Sequence, residues 1–165
     1  MFEKIKDSHC NLFIDLQNPY NYAHLPKDKK LQQWASVAYQ QSEDASVTLR
    51  FVNREEGLKL NQTYRTKDYA TNILSFSFDP PVLPEGVELD QPAHLGDLIM
   101  CLSVIEKEAK EQKKSLEQHC VHLIIHGMLH LQGYDHIEEQ QAQQMEALER
   151  GILKELGFPD PYLIQ

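Results

Sequence analysis

The sequence predicts a single α+β domain, with about four strands in a mixed sheet and about five helices packed with that sheet. A chain of 165 residues is long enough for one hydrophobic core and short for two. With 41% hydrophobic and 25% charged residues, it has the composition of an ordinary globular protein. The apolar pattern changes between strand and helix periods in the order βαβαββααα, without internal repeats. We therefore expect one domain over residues 1–165.

Strand and helix patterns alternate in the first half of the chain. Apolar residues alternate over Leu12–Leu16, which predicts the first strand, and helical spacing follows from Pro26 to about Gln41. Alternation returns over Ser46–Val52 and predicts the second strand. Asn53, with a glutamate three residues later, forms a capping-box pattern and predicts a short helix from Arg54 to about Tyr64.

Two strands and a long connection occupy the middle of the chain. Alternation over Ile73–Phe78 predicts the third strand, and the short apolar run Leu95–Leu102 predicts a buried fourth. The segment 79–93 between them contains four prolines, so we expect a mobile flap without helix or central strand. Ser103, also followed by a glutamate three residues later, predicts the start of a helix that continues to about Lys113.

Two further helical patterns complete the chain. The first covers Ser115–Gln132 and ends before Gly133. The second covers Glu138–Leu156 and ends at Gly157, since glycine commonly takes the left-handed conformation after a helix.

Charge is unevenly distributed along this acidic chain, whose formal net charge is −9. Five basic residues lie between Arg50 and Lys67, against two glutamates. This stretch is compatible with a local basic face that binds RNA, and equally with a solvated helix surface.

Cysteines and hydropathy limit the cellular setting. The three cysteines contain no CxxC pair, which argues against a disulfide framework and against a thiolate zinc site. No apolar run approaches the 18 or so residues of a membrane span, and the first ten residues carry no apolar signal segment. We therefore expect a cytoplasmic protein without a membrane partner.

Histidines are concentrated near the C-terminal third, where five of the eight fall within eighteen residues. His126 and His130 are one helical turn apart and can converge on one ion. Gly133 can turn the chain back so that His136 adds a third imidazole, giving the pattern HxxxHxxGxxH. Three imidazoles with an open fourth position are typical of catalytic zinc. The alternative for these three is a set of hydrogen-bonded histidines on a helix surface. We interpret His119 and His122 as packing residues or as residues that support the ligand histidines.

The residue after the first histidine separates two kinds of hydrolysis. Zinc with an open position lowers the pKa of bound water from 15.7 to about 7 and so favours hydrolysis. Peptidases of the HExxH type carry a glutamate base after the first histidine, whereas this chain has Gly127. A phosphodiester substrate is therefore favoured over a peptide, provided that a cation stabilises the developing charge.

Three blocks of the sequence resemble those of a known protein family and occur in the same order and with the same spacing. They are LNQTYRTKDYATNILSFSF (60–78), HLGDLIMC (94–101) and HGMLHLQGYDH (126–136). With these blocks the chain resembles the YbeY family of bacterial endoribonucleases. The resemblance implies a zinc-dependent, single-strand-specific endoribonuclease that acts in 16S rRNA 3′-end maturation, rRNA processing and 70S ribosome quality control.

The resemblance also implies roles for individual residues. His126, His130 and His136 would bind one Zn²⁺ per chain, with His126 also counted as catalytic. Arg65 would bind phosphate or stabilise the transition state, as a planar guanidinium can. The alternative for Arg65 is a surface salt bridge with Asp68 or an acid of its helix.

Two acidic residues near these blocks have open roles. Asp97 either orients a ligand histidine or caps a loop near Gly96. Asp135 could act as a base or as an acceptor for the neighbouring histidine, although a turn-forming role is favoured.

Three functions remain in competition at this point. The first is the endoribonuclease, whose partners would be single-stranded regions of small-subunit rRNA, with ribosomal proteins and a ribosome-associated GTPase as further candidates. The second is a zinc peptidase or other amide hydrolase. The third is a non-catalytic ribosome-assembly factor in which the metal is structural.

Overall fold

The fold is a four-stranded sheet with five helices in the part of the chain that the computed structural model describes, residues 11–79, 82–88 and 91–163. The strands are β1 (Leu12–Gln17), β2 (Ala45–Val52), β3 (Ile73–Ser77) and β4 (Ala93–Cys101). The helices are α1 (Asp28–Ala38), α2 (Arg54–Arg65), α3 (Leu102–Glu111), α4 (Leu116–Leu131) and α5 (Glu139–Leu156). This order confirms the predicted α+β class and the predicted sequence of elements.

The sheet is mixed, with the strand order β1-β2-β4-β3. The strands β1, β2 and β4 run parallel, and β3 pairs antiparallel to β4. Parallel strands need a long crossover connection, and a helix lies in the connection from β1 to β2 and in that from β2 to β4. The antiparallel strands β3 and β4 are joined without a helix. The antiparallel strand β3 therefore lies at one edge of the sheet, beside the C-terminal half of the chain.

Helix α4 is the centre of the hydrophobic core. It packs against the sheet and against α1, α3 and α5, and its side chains at Ile124, Ile125, Met128 and Leu129 are fully buried. Each side chain of this size contributes about 1.5–3 kcal/mol when it is removed from water. The helix that carries four of the eight histidines is thus held by the sheet and by three other helices.

The helix starts agree with the sequence prediction in one case and differ in another. Asn53 caps α2, since its side chain accepts a hydrogen bond from the Glu56 backbone at 2.8 Å. The predicted cap at Ser103 is wrong: β4 continues directly into α3, and Ser103 lies inside the helix after Cys101, which makes no side-chain cap bond. Leu102 is fully buried in the core, so the chain turns into the helix one residue before the serine.

The predicted flap over residues 79–93 is described at 79, 82–88 and 91–93. It contains no helix or strand there until β4 begins at Ala93, and Val82 is fully exposed. Its mobility stays a prediction.

The buried thiols behave as small apolar groups. Cys101 and Cys120 are free and buried, whereas Cys10 lies outside the described residues. Burial raises the pKa of the Cys120 thiol to about 12, so this side chain stays protonated and unreactive. Among the helices described, none is long and apolar enough to cross a membrane.

Candidate metal centre and active site

The C-terminal half of α4 and the turn after it bring three histidines together. His126 and His130 lie one turn apart on α4, and their Nε2 atoms are 3.1 Å apart. Gly133 takes a positive φ of 98°, which reverses the chain as the sequence predicts. His136 then returns beside the pair, with ring centroids 5.4 Å from His126 and 4.9 Å from His130.

The three imidazoles fit a divalent metal ion. One nitrogen from each ring lies within 4.8 Å of the others, so the set could hold a metal ion. Two nitrogens that each lie 2.1 Å from a tetrahedral zinc are separated by about 3.4 Å, close to the spacing of the first pair. Burial and the neighbouring His126 and His136 lower the pKa of His130, which favours the neutral imidazole that binds metals.

A buried carboxylate fixes the orientation of His126. Glu149 on α5 has a fully buried side chain, and its Oε2 lies 3.1 Å from His126 Nδ1. With Nδ1 occupied in this way, Nε2 of His126 remains free to face His130. A carboxylate behind a histidine is the usual support of a metal ligand, since it selects the tautomer and strengthens the donor nitrogen.

The same carboxylate organises two further groups. Tyr162 donates its hydroxyl to Glu149 at 2.7 Å, and His122 Nε2 lies 3.3 Å from Glu149 Oε2. Burial alone would raise the pKa of the Glu149 carboxyl, but hydrogen bonds from His122, His126 and Tyr162 lower it to about 2. Glu149 is thus ionised within the protein interior. The expectation that His122 supports the site or packs beside it agrees with this position.

The sequence reasoning missed Glu149, although its spacing offered an indication. It lies on the buried side of α5 with Met145, Ile152 and Leu153. A glutamate on the apolar face of a helix is rarely buried without partners. Tyr162 follows the last helix and could not be assigned from periodicity.

Gly127 is a packing requirement of the site. A Cβ atom at this position would come within 2.7 Å of a Leu98 methyl carbon and 2.9 Å of an Ile73 methyl carbon. A side chain at this position would therefore have to displace the ends of the Leu98 and Ile73 side chains where α4 meets the sheet. The glutamate base of HExxH peptidases would require this displacement, which adds to the argument against a peptidase.

Arg65 lies at the same cleft as the three histidines. The cleft has a volume of about 530 Å³ and is lined by Arg65, Ser75 and His122 together with the three-histidine cluster and Tyr162. The Arg65 guanidinium donates to the Ser75 carbonyl oxygen at 2.9 Å and lies 4.8 Å from the centre of the Phe76 ring.

The alternative role of Arg65, a salt bridge with Asp68, is not formed. Asp68 instead accepts a hydrogen bond from Gln62. Across the described residues, Arg65 makes no ion pair, so its charge remains available to an anion in the cleft.

The basic stretch is only partly available as a binding face. Arg50 donates to Glu56, with Nε and Oε2 2.7 Å apart, and also to Gln17. Arg54 and Lys59 are exposed and have no ion pair in the described ranges.

The two acids with open roles both serve local structure. Asp97 lies 2.9 Å from His94 Nε2 and does not contact a histidine of the cluster. The role of orienting a ligand histidine, which the sequence left open for Asp97, falls to Glu149 instead. Asp135 accepts a hydrogen bond from the His136 backbone at 2.7 Å, as a turn residue does.

Fold and cleft together define an α+β domain whose three-histidine site could hold a metal ion beside an unpaired arginine. The family model described as Endoribonuclease YbeY matches residues 17–157. A Pseudomonas putida protein named Endoribonuclease YbeY is 53% identical over 152 residues, which cover 92% of this chain and 93% of that relative. One of the same name from Stutzerimonas stutzeri is 54% identical over 138 residues, 83% of each chain. The chain therefore belongs to the YbeY endoribonuclease family.

A solved structure has a similar fold. The solution structure of TM1509 from Thermotoga maritima aligns with a TM-score of 0.50 at 22% identity, covering 93% of this chain and 99% of the other. This likeness supports the fold alone.

Proposed function

We propose that the protein is a zinc-dependent endoribonuclease that cleaves single-stranded RNA at the cleft between Arg65 and the three histidines. The observation that carries the proposal is the convergence of three imidazole nitrogens within 4.8 Å in a cleft that also contains an unpaired arginine. Membership of a family named for endoribonuclease activity supports RNA as the substrate.

Within this proposal the histidines hold the metal. His126, His130 and His136 would bind one zinc ion per chain, with Glu149 holding the His126 ring in place. Bound zinc would supply an activated water near neutral pH and positive charge at the reacting phosphate.

Arg65 would bind the phosphate group. Its guanidinium donates to the neutral carbonyl oxygens of Tyr64 and Ser75 and lies over the Phe76 ring, and none of these contacts neutralises its charge. It can therefore offer two parallel N–H donors to a phosphodiester and stabilise the charge that develops during cleavage.

Aromatic side chains beside Arg65 support a single-stranded substrate. Tyr64 is 60% exposed, and its ring meets Phe76 edge to face with centroids 5.4 Å apart. Exposed rings of this kind can stack on unpaired bases, whose faces are covered in a duplex.

The resemblance to the family extends the proposal to ribosomal RNA in the cytoplasm. The substrate would be the 3′ end of 16S rRNA during maturation, and the enzyme would also act in 70S ribosome quality control. Because the chain carries a formal charge of −9, we expect weak binding to bulk RNA and guidance by ribosomal proteins or a ribosome-associated GTPase.

A direct test measures zinc content and the cleavage of a labelled single-stranded RNA by the same purified protein. His130→Ala should lose zinc and cleavage, and Arg65→Ala should keep zinc and lose at least about tenfold in cleavage rate. Lys59→Ala, which removes an exposed positive charge from the same helix as Arg65, is the matched control and should cleave normally. Circular dichroism checks the folding of all three variants.

Two results would overturn the proposal. Unchanged cleavage in folded His130→Ala and Arg65→Ala would point to a contaminating nuclease and favour an assembly factor. Cleavage of casein without cleavage of RNA would favour an amide hydrolase.

A further inference from the structure

A second cavity adjoins the histidine cleft. It has a volume of about 200 Å³ and lies between the end of α3, the start of α4 and the C-terminal turn. His122 lines both cavities, and Tyr162 in the cleft is flanked by Pro161 and Leu163 in the second cavity. The two cavities therefore lie on either side of the same residues, His122 and the segment around Tyr162.

The second cavity has unbalanced positive charge. Lys113 and Lys114 line it, and neither forms an ion pair within the described parts of the chain. The acid that also lines it, Asp160, is already engaged, because Arg150 Nε lies 3.1 Å from its Oδ2. An anion in this cavity would meet two free ammonium groups in a chain that is acidic overall.

A tight turn fixes the two lysines at the cavity. Lys113 has a positive φ of 57°, and the Lys114 backbone donates to the Ala109 carbonyl oxygen at 2.9 Å. Glycine is the usual residue at this position after a helix, and a side chain there costs roughly 1 kcal/mol. The chain nevertheless has lysine, whose ammonium group is available to the cavity.

The other walls suit the remainder of a nucleotide. Leu153, Phe158 and Pro161 also line the cavity and give it apolar surface. A sugar or base can lie against such a surface while the phosphate faces the lysines.

We propose that this cavity is a phosphate-binding subsite for the RNA strand, several nucleotides away from the phosphate at the histidine cleft. The inference rests on the proposed nuclease function and extends it to substrate length. Helix α4 separates the two sites, and it rises about 15 Å from its first residue, Leu116, to His126 at 1.5 Å per residue. With a rise of at least about 3.4 Å per nucleotide, about four nucleotides or fewer would span this length of helix.

The test measures binding of a labelled, non-cleavable 2′-O-methyl RNA of about twelve nucleotides by fluorescence anisotropy at several salt concentrations. K113A/K114A should bind about tenfold more weakly, and the slope of log K against log salt should fall by about 0.7, the contribution of one phosphate contact on a single strand. K113R/K114R, which keeps both charges, should bind like the wild type. K27A/K29A removes two exposed lysines that line neither cavity and should change affinity less than about twofold.

Substrate length gives a second readout. K113A/K114A should lower kcat/KM about tenfold for an unmodified, cleavable RNA of the same length and leave a dinucleotide, whose single phosphate cannot occupy both sites, unaffected. Equal effects of K113A/K114A and K27A/K29A on binding would overturn the subsite while the nuclease function stands. Failure of the wild-type protein to bind or cleave any RNA would overturn the proposed function and the subsite with it.

Discussion

His126 and His94 both pair with a carboxylate, but the two rings end in different surroundings. His126 Nδ1 lies 3.1 Å from a carboxylate oxygen of Glu149, and His94 Nε2 lies 2.9 Å from one of Asp97. The second nitrogen of His94 is occupied by Ser46 Oγ at 2.9 Å. The second nitrogen of His126 faces His130 and His136, whose donor atoms converge with it.

The comparison shows what distinguishes a candidate ligand from a structural histidine. A carboxylate partner is common to both, so it does not identify a metal site alone. The difference lies in a free second nitrogen that meets other free nitrogens. Burial of the carboxylate is a second difference between the two histidines. Glu149 is fully buried, whereas the Asp97 side chain is 46% exposed and screened by solvent.

Removing one histidine from each group should give the largest contrast. His130→Ala deletes one of three converging donors, so we expect loss of stoichiometric zinc. His94→Ala should retain one zinc per chain, because its nitrogens face Ser46 and Asp97. Metal analysis after dialysis measures both, and zinc retention by folded His130→Ala would show that the metal binds elsewhere.

The two carboxylates should differ in their effect on metal affinity. Glu149→Gln keeps the size of the side chain but weakens the support of His126, so we expect a loss of about 10–100-fold in zinc affinity. Asp97→Asn is the matched control and should leave zinc affinity unchanged. Competition with a chromophoric chelator measures both variants, and equal affinities would remove the proposed role of Glu149.

Acid should weaken the protein through Glu149. Its pKa is about 2 in the fold, against an ordinary value of about 4.5 for a glutamate carboxyl. A lowered pKa means that the ionised group stabilises the fold above about pH 4.5, and that this contribution is lost as the pH falls towards 2. The unfolding free energies of metal-free wild type and Glu149→Gln should therefore converge across this window. Urea unfolding at several pH values tests this, and a constant difference would contradict it.

The hydroxyl groups beside the two carboxylates should give the smallest contrast. Tyr162→Phe removes a donor to the buried Glu149 carboxylate and should cost about 1.5–3 kcal/mol of unfolding free energy. Ser46→Ala removes a bond to a half-exposed histidine and should cost about 1 kcal/mol or less. Urea unfolding at neutral pH compares them, and equal costs would show that burial of the carboxylate does not matter.

Local patterns explain why much of this fold could be predicted from the sequence. His126 and His130 are four residues apart, so helix geometry places them on the same face. Gly133 indicates a turn that brings His136 back beside them. The strands and helices followed from hydrophobic periodicity together with capping, proline and glycine signals, and the mixed sheet followed from their order.

Contacts between elements that are far apart in the chain could not be predicted from the sequence patterns. Glu149 meets His126 only because α5 docks on α4, and no periodicity within either helix fixes that pairing. The Ser103 cap failed because core packing at Leu102 began the helix earlier than the capping pattern indicated. The position of Arg65 at the cleft depended on α2 and β3 coming together, for which only the family resemblance gave an indication.

The most direct test of the account titrates zinc into metal-free protein and follows RNA cleavage in the same samples. Cleavage should be absent at the start, rise in proportion to bound zinc and reach its maximum at one zinc per chain. Full cleavage by protein shown to contain no metal would contradict the assignment of catalysis to the three-histidine site.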